Sequence, residues 1–519
     1  MKRVLWMPHY QNMMNETGPV ISPLLLKEIS DYIGVRLGLS YPQERWGDLE
    51  RAVKAIAKES NFDDIETSLW RVLSSPLTHA QIEIFSSHLT VGETYFFRET
   101  DSFNALERDI LPELIDLRKH DKRLRIWSAG CATGEEAYSL AILLSRIIPD
   151  LKNWNILILA TDVNPRSLKK AAAGVYGEWS FRQTPSWVKE KYFENTVKAQ
   201  YKVHEHIKSM TTFTYLNLAE DTYPSLINNT NAMDIIFCRN ALMYLVPAVA
   251  KKCVQRFYDS LLLNGWLGVS ASEGHYLSGT EFTAINFPNT ILYRKSDAKQ
   301  SRSTSYYEFP DILSASFSDV LFEELPGAKQ DLPVFGETFG QEADAEADAE
   351  EPVQDAYSEA LSLYEKGRYH ESIEKILATP SEIQNNAKAM LLLARAFANS
   401  GELPKAEEWC RKAIENDRIN PVYYYLLANI LQEMGQFDNA FNLLKTVIYL
   451  DNEFVLAHFA LGNLSRQKGM TKESSRYFKN SLSLLKAYQS ADAIPESEGL
   501  TALRLTEIIN SIVGMESAA

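Results

Sequence analysis

Gly367, Gly401, Gly435 and Gly469 stand at regular intervals of 34 residues. Seven places before each lies a small residue (Ala360, Ala394, Ala428, Gly462), and five places after lies another (Ser372, Ala406, Ala440, Ser474). Small side chains at both offsets let two antiparallel helices approach closely, and glycine suits the turn between them. One such hairpin cannot bury its apolar face alone, so the spacing demands a stack of hairpins.

The stretches "AKAMLLLARAFANSGELPKAEEWCRKAIENDRINP" and "YYYLLANILQEMGQFDNAFNLLKTVIYLDNE" carry the pattern best. They resemble tetratricopeptide repeats, four of them over residues 353–487. The outer units depart from the pattern, with Thr379 and Ser481 where alanine is usual, as expected of capping repeats. The resemblance implies a surface that binds a protein or peptide. Residues 488–519 are expected to form a loop and a final helix that solvates the end of the stack.

The repeats use only part of 519 residues, so further domains must precede them. With 45% hydrophobic and 23% charged residues the chain is of globular composition. The net charge of −15 disfavours attraction to nucleic acid or an anionic membrane, but it is unevenly spread. Residues 1–295 hold 33 acidic and 33 basic groups, residues 296–352 hold 14 and 3, and residues 353–519 hold 21 and 17. The acidic stretch, ending in "QEADAEADAEE", reads as a disordered linker, with "YYEFPDILSASF" and "LPVFGETF" as candidate docking motifs. Four cysteines without CxxC or His partners indicate neither a disulfide scaffold nor a metal site. No apolar h-region and no run of 18 apolar residues occur, so a cytoplasmic chain without direct membrane insertion is expected.

Residues 20–90 show helical apolar spacing and are expected to form a small helical domain. From residue 91 to 295, strand-like runs (LRIWSA, NILILAT, MDIIFC, GWLGVSAS) alternate with helices near 135–146 and 247–262. That alternation predicts an α/β doubly wound, Rossmann-like parallel sheet. The run "LRIWSA" leads into "GCATGEEAYSLAILL", where Gly130 and Gly134 fit a tight turn at a helix N-terminus. The next strand ends in Asp162, suited to both hydroxyls of a ribose. The loop lacks G-x-G-x-x-G and Asp162 lies beyond the usual distance, so a dinucleotide fits less well than S-adenosylmethionine.

Five blocks occur in order: "TYFFRE" (Thr94–Glu99), "GCATGEEAYS" (Gly130–Ser139), "ATDVNPRSLKKAAAGVY" (Ala160–Tyr176), "NL" (Asn217–Leu218) and "IFCRNALMYL" (Ile236–Leu245). Together they resemble the CheR family, the chemotaxis-type protein-glutamate O-methyltransferases. The resemblance implies cofactor contacts from Thr94, Arg98, Gly130 and Glu136, a ribose contact from Asp162, and adenine contacts from Asn217 and Leu218. It places Arg239, Asn240 and Tyr244 at the methyl-transfer end, with Arg98 and Tyr244 as the catalytic pair. Gly92 stands where many members have an asparagine, so that contact is expected to be lost or replaced. The resemblance also implies a small β insert at about residues 174–213.

A glutamate carboxylate is already an anion, so its attack on a sulfonium methyl needs positioning and desolvation rather than a base. Cys131 and Cys238 are accordingly read as buried residues, not nucleophiles. The implied substrate is the cytoplasmic helices of chemoreceptors, reached through partners at membrane receptor arrays. Arg51, Lys54 and Lys58 share a helix face that could meet a Glu-rich helix, or could simply be solvated. The insert lacks a glycine-rich loop, so no high-affinity receptor-peptide tether is expected; the repeats instead recruit or regulate a partner. The alternatives are a cofactor-binding scaffold or sensor without catalysis, and a methyltransferase for another protein or small acid.

Overall fold

The computed structural model describes residues 21–75, 77–196, 199–296, 351–379 and 386–516. The acidic linker and its two apolar motifs lie outside the described residues. Four helices come first: α1 (Pro23–Arg36), α2 (Trp46–Glu59), α3 (Ile65–Leu73) and α4 (His79–Leu89). Ser22 caps α1, while Leu25, Ile29 and Ile33, along with Leu49, Val53 and Ile56 of α2, fill the core between them. Helices α5 (Thr100–Ala105) and α6 (Leu111–Leu117), joined by a π turn, lead to the sheet.

Strands β1 (Arg123–Ala129) and β2 (Asn155–Asp162) flank α7 (Glu135–Ile147), and α8 (Pro165–Ala173) follows β2. Next come the short strands β3 (Val175–Tyr176), β4 (Phe193–Thr196) and β5 (Gln200–Val203), interrupted by α9 (Ser186–Tyr192). They form a separate antiparallel sheet in the order β3-β5-β4. After α10 (Glu205–Lys208) the chain re-enters the main sheet as β6 (Thr211–Tyr215), β7 (Met233–Phe237), α11 (Pro247–Ser260), β8 (Leu261–Gly268), β9 (Phe282–Phe287) and β10 (Thr290–Lys295). The main sheet runs β6-β2-β1-β7-β8-β10-β9. Trp127 lies at its centre, fully buried, with its Nε1 donating to Thr161 Oγ1 at 2.9 Å.

The sheet is Rossmann-like but not wholly parallel. β10 runs antiparallel to β9, because Pro288 and Asn289 leave only a short hairpin turn whereas a parallel pair needs a long crossover, and it is antiparallel to β8 as well. The helix expected to reach residue 262 ends at Ser260: Leu261 is drawn into pairing with Met233, and a bulge follows at Asn264, where φ is 67°.

Four hairpins complete the chain: α12 (Glu351–Glu365) with α13 (Tyr369–Leu377), α14 (Ala387–Asn399) with α15 (Leu403–Asn416), α16 (Pro421–Glu433) with α17 (Phe437–Leu450), and α18 (Val455–Gln467) with α19 (Thr471–Leu485). All four repeat glycines take φ between 72° and 77°. In the last unit Gly462 replaces alanine because the Phe478 ring occupies the space; a Cβ at this position would stand only 2.5 Å from it.

The final helix, α20 (Ala502–Glu516), does not merely solvate the stack. Leu505, Ile509 and Ile512 are buried, and α20 packs against β6 and α8 of the sheet as well as against α19. The repeats themselves dock on the sheet edge where β1 and β2 begin. The Gly401 turn meets Leu262, the Gly435 turn meets Asn155, and the Gly367 turn covers Asp259. Docking of this kind is dictated by side-chain fit across the whole fold, which periodicity does not encode.

Burial pushes Asp259 up to about 6, partly offset by Gln255 and Lys295; Arg256 and Glu281 also face it. A carboxyl raised above its unfolded value of 3.8 favours the folded state at low pH, and that stability is lost as pH rises through 6. The wild-type denaturation midpoint should therefore fall between pH 4.5 and 7.5 relative to Asp259→Asn. Parallel pH profiles of the two proteins would refute this.

Candidate active site

The loop between β1 and α7 requires glycine twice. Gly130 has φ 78° and a Cβ there would stand 2.9 Å from that of Ala241; Gly134 has φ 91° and would press on Ala171 and Phe213. Asp162, at the end of β2, fastens this loop: its Oδ2 accepts from Ala132 N at 2.9 Å, and its Oδ1 accepts from Asn164 N at 2.8 Å. Burial raises its pKa, an effect tempered by these N–H donors.

Two adjoining compartments open over the loop, sharing Val91, Gly130, Ala132 and Asn240. The first is lined by Asp162, Asn217, Leu218 and Tyr244, with Leu37 and Leu39 from the loop after α1 as an apolar wall. The second is lined by Thr94, Arg98, Glu136 and Arg239. All ten residues expected at the cofactor end are thus brought to one place. Tyr244 lines the first compartment, on the side of Asp162, with the Arg45 guanidinium 6.0 Å from its ring centre.

Arg98 sits on a strained turn. Phe97 and Glu99 on either side have φ of 56° and 55°, uncommon for such residues. Phe96 anchors the turn in a ring cluster with Tyr176, Phe181 and Phe193, and Phe97 N donates to Ser139 Oγ at 3.0 Å. The Arg98 guanidinium donates to the Glu93 carbonyl at 2.8 Å. Arg239 is buried among Phe103, Phe237, Glu99 and Glu136, 3.6 Å from each carboxylate, while its Nε and Nη1 make no hydrogen bond.

Glu135 and Glu136 divide their work. Glu135 is buried and accepts from Thr133 Oγ1 at 2.6 Å and Ser180 Oγ at 2.9 Å, tying the loop to the insert. Glu136 accepts from Ser128 Oγ at 2.7 Å; burial raises its pKa and Arg239 counters that rise. Burial also pushes the Cys131 and Cys238 thiols well up, so neither is poised as a thiolate. Gly92 lines the first compartment, and a Cβ there would meet only Ser167 Oγ at 3.8 Å, so the asparagine usual at that position would have room.

Glu273 escaped the sequence reading. Fully buried, it accepts from Asn240 N at 2.9 Å and Met243 N at 3.2 Å, setting the loop that presents Asn240 in a left-handed conformation. Its signal was the S-x-x-E capping box formed with Ser270. On α2, Arg51 pairs with Asp48 and Lys54 with Glu50 at 2.9 Å, so the basic face is partly neutralised within its own helix. The helix is nevertheless fixed to the sheet domain through Glu59, whose carboxyl Arg166 and His88 pull down to about 2.

A Rossmann-like sheet with an acid at the end of its second strand, an apolar wall beside it and an inner compartment of mixed charge is the layout of an S-adenosylmethionine-dependent methyltransferase. Residues 92–290 match the family described as CheR methyltransferase, SAM binding domain, and residues 357–421 and 421–454 match tetratricopeptide repeats. The chain is 29% identical over 239 residues to a chemotaxis protein methyltransferase of Borreliella burgdorferi, covering 46% of this chain and 83% of the relative. It is 32% identical over 215 residues to chemotaxis protein methyltransferase 2 of Vibrio cholerae, covering 41% and 73%. A probable chemotaxis protein methyltransferase of Rhizobium etli is 32% identical over 205 residues, covering 39% and 75%. The chain belongs to the CheR methyltransferase family, and its cofactor is S-adenosylmethionine. Among the described residues no helix is long and apolar enough to cross a membrane.

The residues present fit that cofactor. The unpaired Nη1 of buried Arg239 suits its carboxylate, Glu136 suits its amino group or sulfonium charge, and Asp162 suits its ribose.

Proposed function

We propose that the protein methylates glutamate side chains on the cytoplasmic helices of chemoreceptors. S-adenosylmethionine supplies an electrophilic methyl group on a positively charged sulfur. In this reading Thr94, Arg98, Gly130, Glu136 and Arg239 hold the amino-acid end of the cofactor, Asp162 the ribose, and Asn217 and Leu218 the adenine. Asn240 and Tyr244 border the path of the methyl group, whereas Arg239, expected at that end, lines the inner compartment and is assigned to the amino-acid end instead.

The observation that carries the reading is the position of Arg98. Its strained turn holds a guanidinium at the inner compartment with a main-chain carbonyl as its hydrogen-bond partner, so its charge is not neutralised by that contact. An incoming carboxylate can accept charge-assisted hydrogen bonds from it, which aligns the oxygen and offsets the loss of water. Arg51, Lys54 and Lys58 on α2 are proposed to meet the acidic receptor helix. The repeats are proposed to bring a partner protein to the enzyme, which acts in the cytoplasm at receptor arrays.

The test is incubation with labelled S-adenosylmethionine and receptor-containing membranes. Wild type should deposit base-labile label released as methanol. Arg98→Ala should lower turnover by about a hundredfold, with partial recovery in Arg98→Lys. Base-stable label, or turnover independent of Arg98, would count against the reading.

A further inference from the structure

Residues 490–503 form a closed loop. Ile494 N donates to Leu500 O at 2.9 Å, Ala502 N to Asp492 O at 2.9 Å and Leu503 N to Ser490 O at 3.1 Å. The loop lies against the first helices of the repeats. Its Glu496 pairs with Arg395 of α14, and its Glu498 accepts from the Tyr364 hydroxyl of α12 at 3.2 Å. Asn399 of α14 donates to the same hydroxyl at 2.9 Å, and Tyr425 of α16 is close enough to feel both glutamates. Ile494, Ser497 and Leu500 are buried, while Glu498 Oε2 is buried with no hydrogen-bond donor. Glu496 and Glu498 both have positive φ, 64° and 54°, a conformation uncommon for non-glycine residues that surrounding contacts must impose.

The helix that follows the loop connects it indirectly to the cofactor site. Arg504, two residues into α20, grips Asp221 with two hydrogen bonds of 2.8 Å and also touches Glu507 and the Tyr215 hydroxyl. Asp221 Oδ2 in turn accepts from Asn217 N at 2.5 Å, and Asp221 N donates to Asn217 O at 2.9 Å. Asn217 and Leu218 line the first compartment. Arg504 is thus a positioning residue, two contacts removed from the pocket.

We propose that the inner face of the repeats around Arg395, Tyr364 and Asn399 is a binding site for an acidic peptide, that residues 490–500 are its resident occupant, and that a competing acidic peptide loosens cofactor binding through Arg504. The proposal rests on Asn217 and Leu218 bordering the cofactor. The coupling works in both directions, so cofactor binding also holds the resident loop in place. Tethering gives the resident loop an effective concentration of about millimolar, which sets the level a competitor must overcome.

The probe is a fluorescein-labelled peptide with the sequence of residues 489–501, added to the full chain. Glu496→Gln combined with Glu498→Gln should free the site and tighten probe binding at least about tenfold over wild type, and adding Arg395→Ala should abolish it. Arg504→Ala should raise KM for S-adenosylmethionine about tenfold with kcat within about twofold, and weaken S-adenosylhomocysteine binding alike; Arg504→Lys should recover part of both. The glutamine pair should weaken S-adenosylhomocysteine binding in the same direction, and it remains a test if Arg504→Ala does not fold. Equal probe binding to wild type and the glutamine pair, or binding that survives Arg395→Ala, would overturn the site. Unchanged cofactor affinity in both the Arg504 and glutamine variants would overturn the coupling. A wild-type chain that does not bind S-adenosylhomocysteine would instead overturn the reading of the pocket and the coupling with it, while the probe arm still decides the site.

Discussion

Replacing Asp162 by alanine should abolish measurable binding of S-adenosylhomocysteine in calorimetry, a loss of at least about a hundredfold. Two effects add. The proposed ribose acceptor disappears, and Ala132 N and Asn164 N lose the carboxylate that fastens the glycine turn to β2. Ala132 itself has φ 46°, so the turn is held partly against its own preference. Asp162→Asn keeps one acceptor oxygen but turns the other into a donor, and its loss should be smaller, about tenfold. Because Asp162 is the last residue of β2 and is held in the sheet by its main chain, far-ultraviolet circular dichroism should stay native in both variants. Cofactor binding retained by Asp162→Ala would remove this residue from the site.

Glu433→Ala should be the most destabilising single change at the junction between repeats and sheet. Glu433 ends α16 and is buried against the start of β1. Its Oε2 lies 2.9 Å from Arg123 Nη2 and 3.7 Å from Arg125 Nη1, its Oε1 accepts from Asn231 Nδ2 at 2.7 Å, and its main-chain oxygen accepts from Asn155 Nδ2 at 2.9 Å. Burial pushes Arg125 down to about 10, with Glu433 acting against that fall. Removing one partner from a buried pair leaves uncompensated charge and costs about 3–5 kcal/mol. Here Arg123 would lose its carboxylate, while Arg125 would keep its bonds to Asn229 O and Asn231 Oδ1 and the charge of Asp234. The expected result is a lower denaturation midpoint and faster amide exchange in α16 and at the start of β1 and β2. Glu433→Gln, which keeps the bond to Asn231 and loses the charge, should fall between. An unchanged midpoint and exchange pattern in Glu433→Ala would mean that the repeats are held by other contacts. The same pairing implies that removing residues 353–519 strips Arg123 and Arg125 of their partner, so a truncated enzyme should be less stable than a simple tethered arrangement predicts.

Much of the cofactor site was legible because its chemistry is local. Gly130 and Gly134 announce a turn, Glu136 follows at a helix N-terminus, and Asp162 ends a strand; each depends on neighbours within a few positions. The strands at the sheet edge were less legible. β6 carries only Phe213 and Tyr215 as buried residues, and β9 has no fully buried position, so neither shows a strong apolar run. The supporting acids were hidden for another reason. Glu273 and Asp221 act through main-chain N–H groups that meet them only once the loops are folded.

The sequence by itself determined the stacked hairpins and the Rossmann-like sheet, since periodicity encodes local geometry, while the residues lining the pocket were named by the resemblance to the CheR family. Only the tertiary structure decided where the repeats sit. Arg123 and Glu433 are separated by 310 positions, and Asp221 and Arg504 by 283. Nothing in the local pattern distinguishes these charges from solvated ones. Their roles arise because docking removes water from both partners at once, which makes a missing partner costly and couples the end of the chain to the cofactor site.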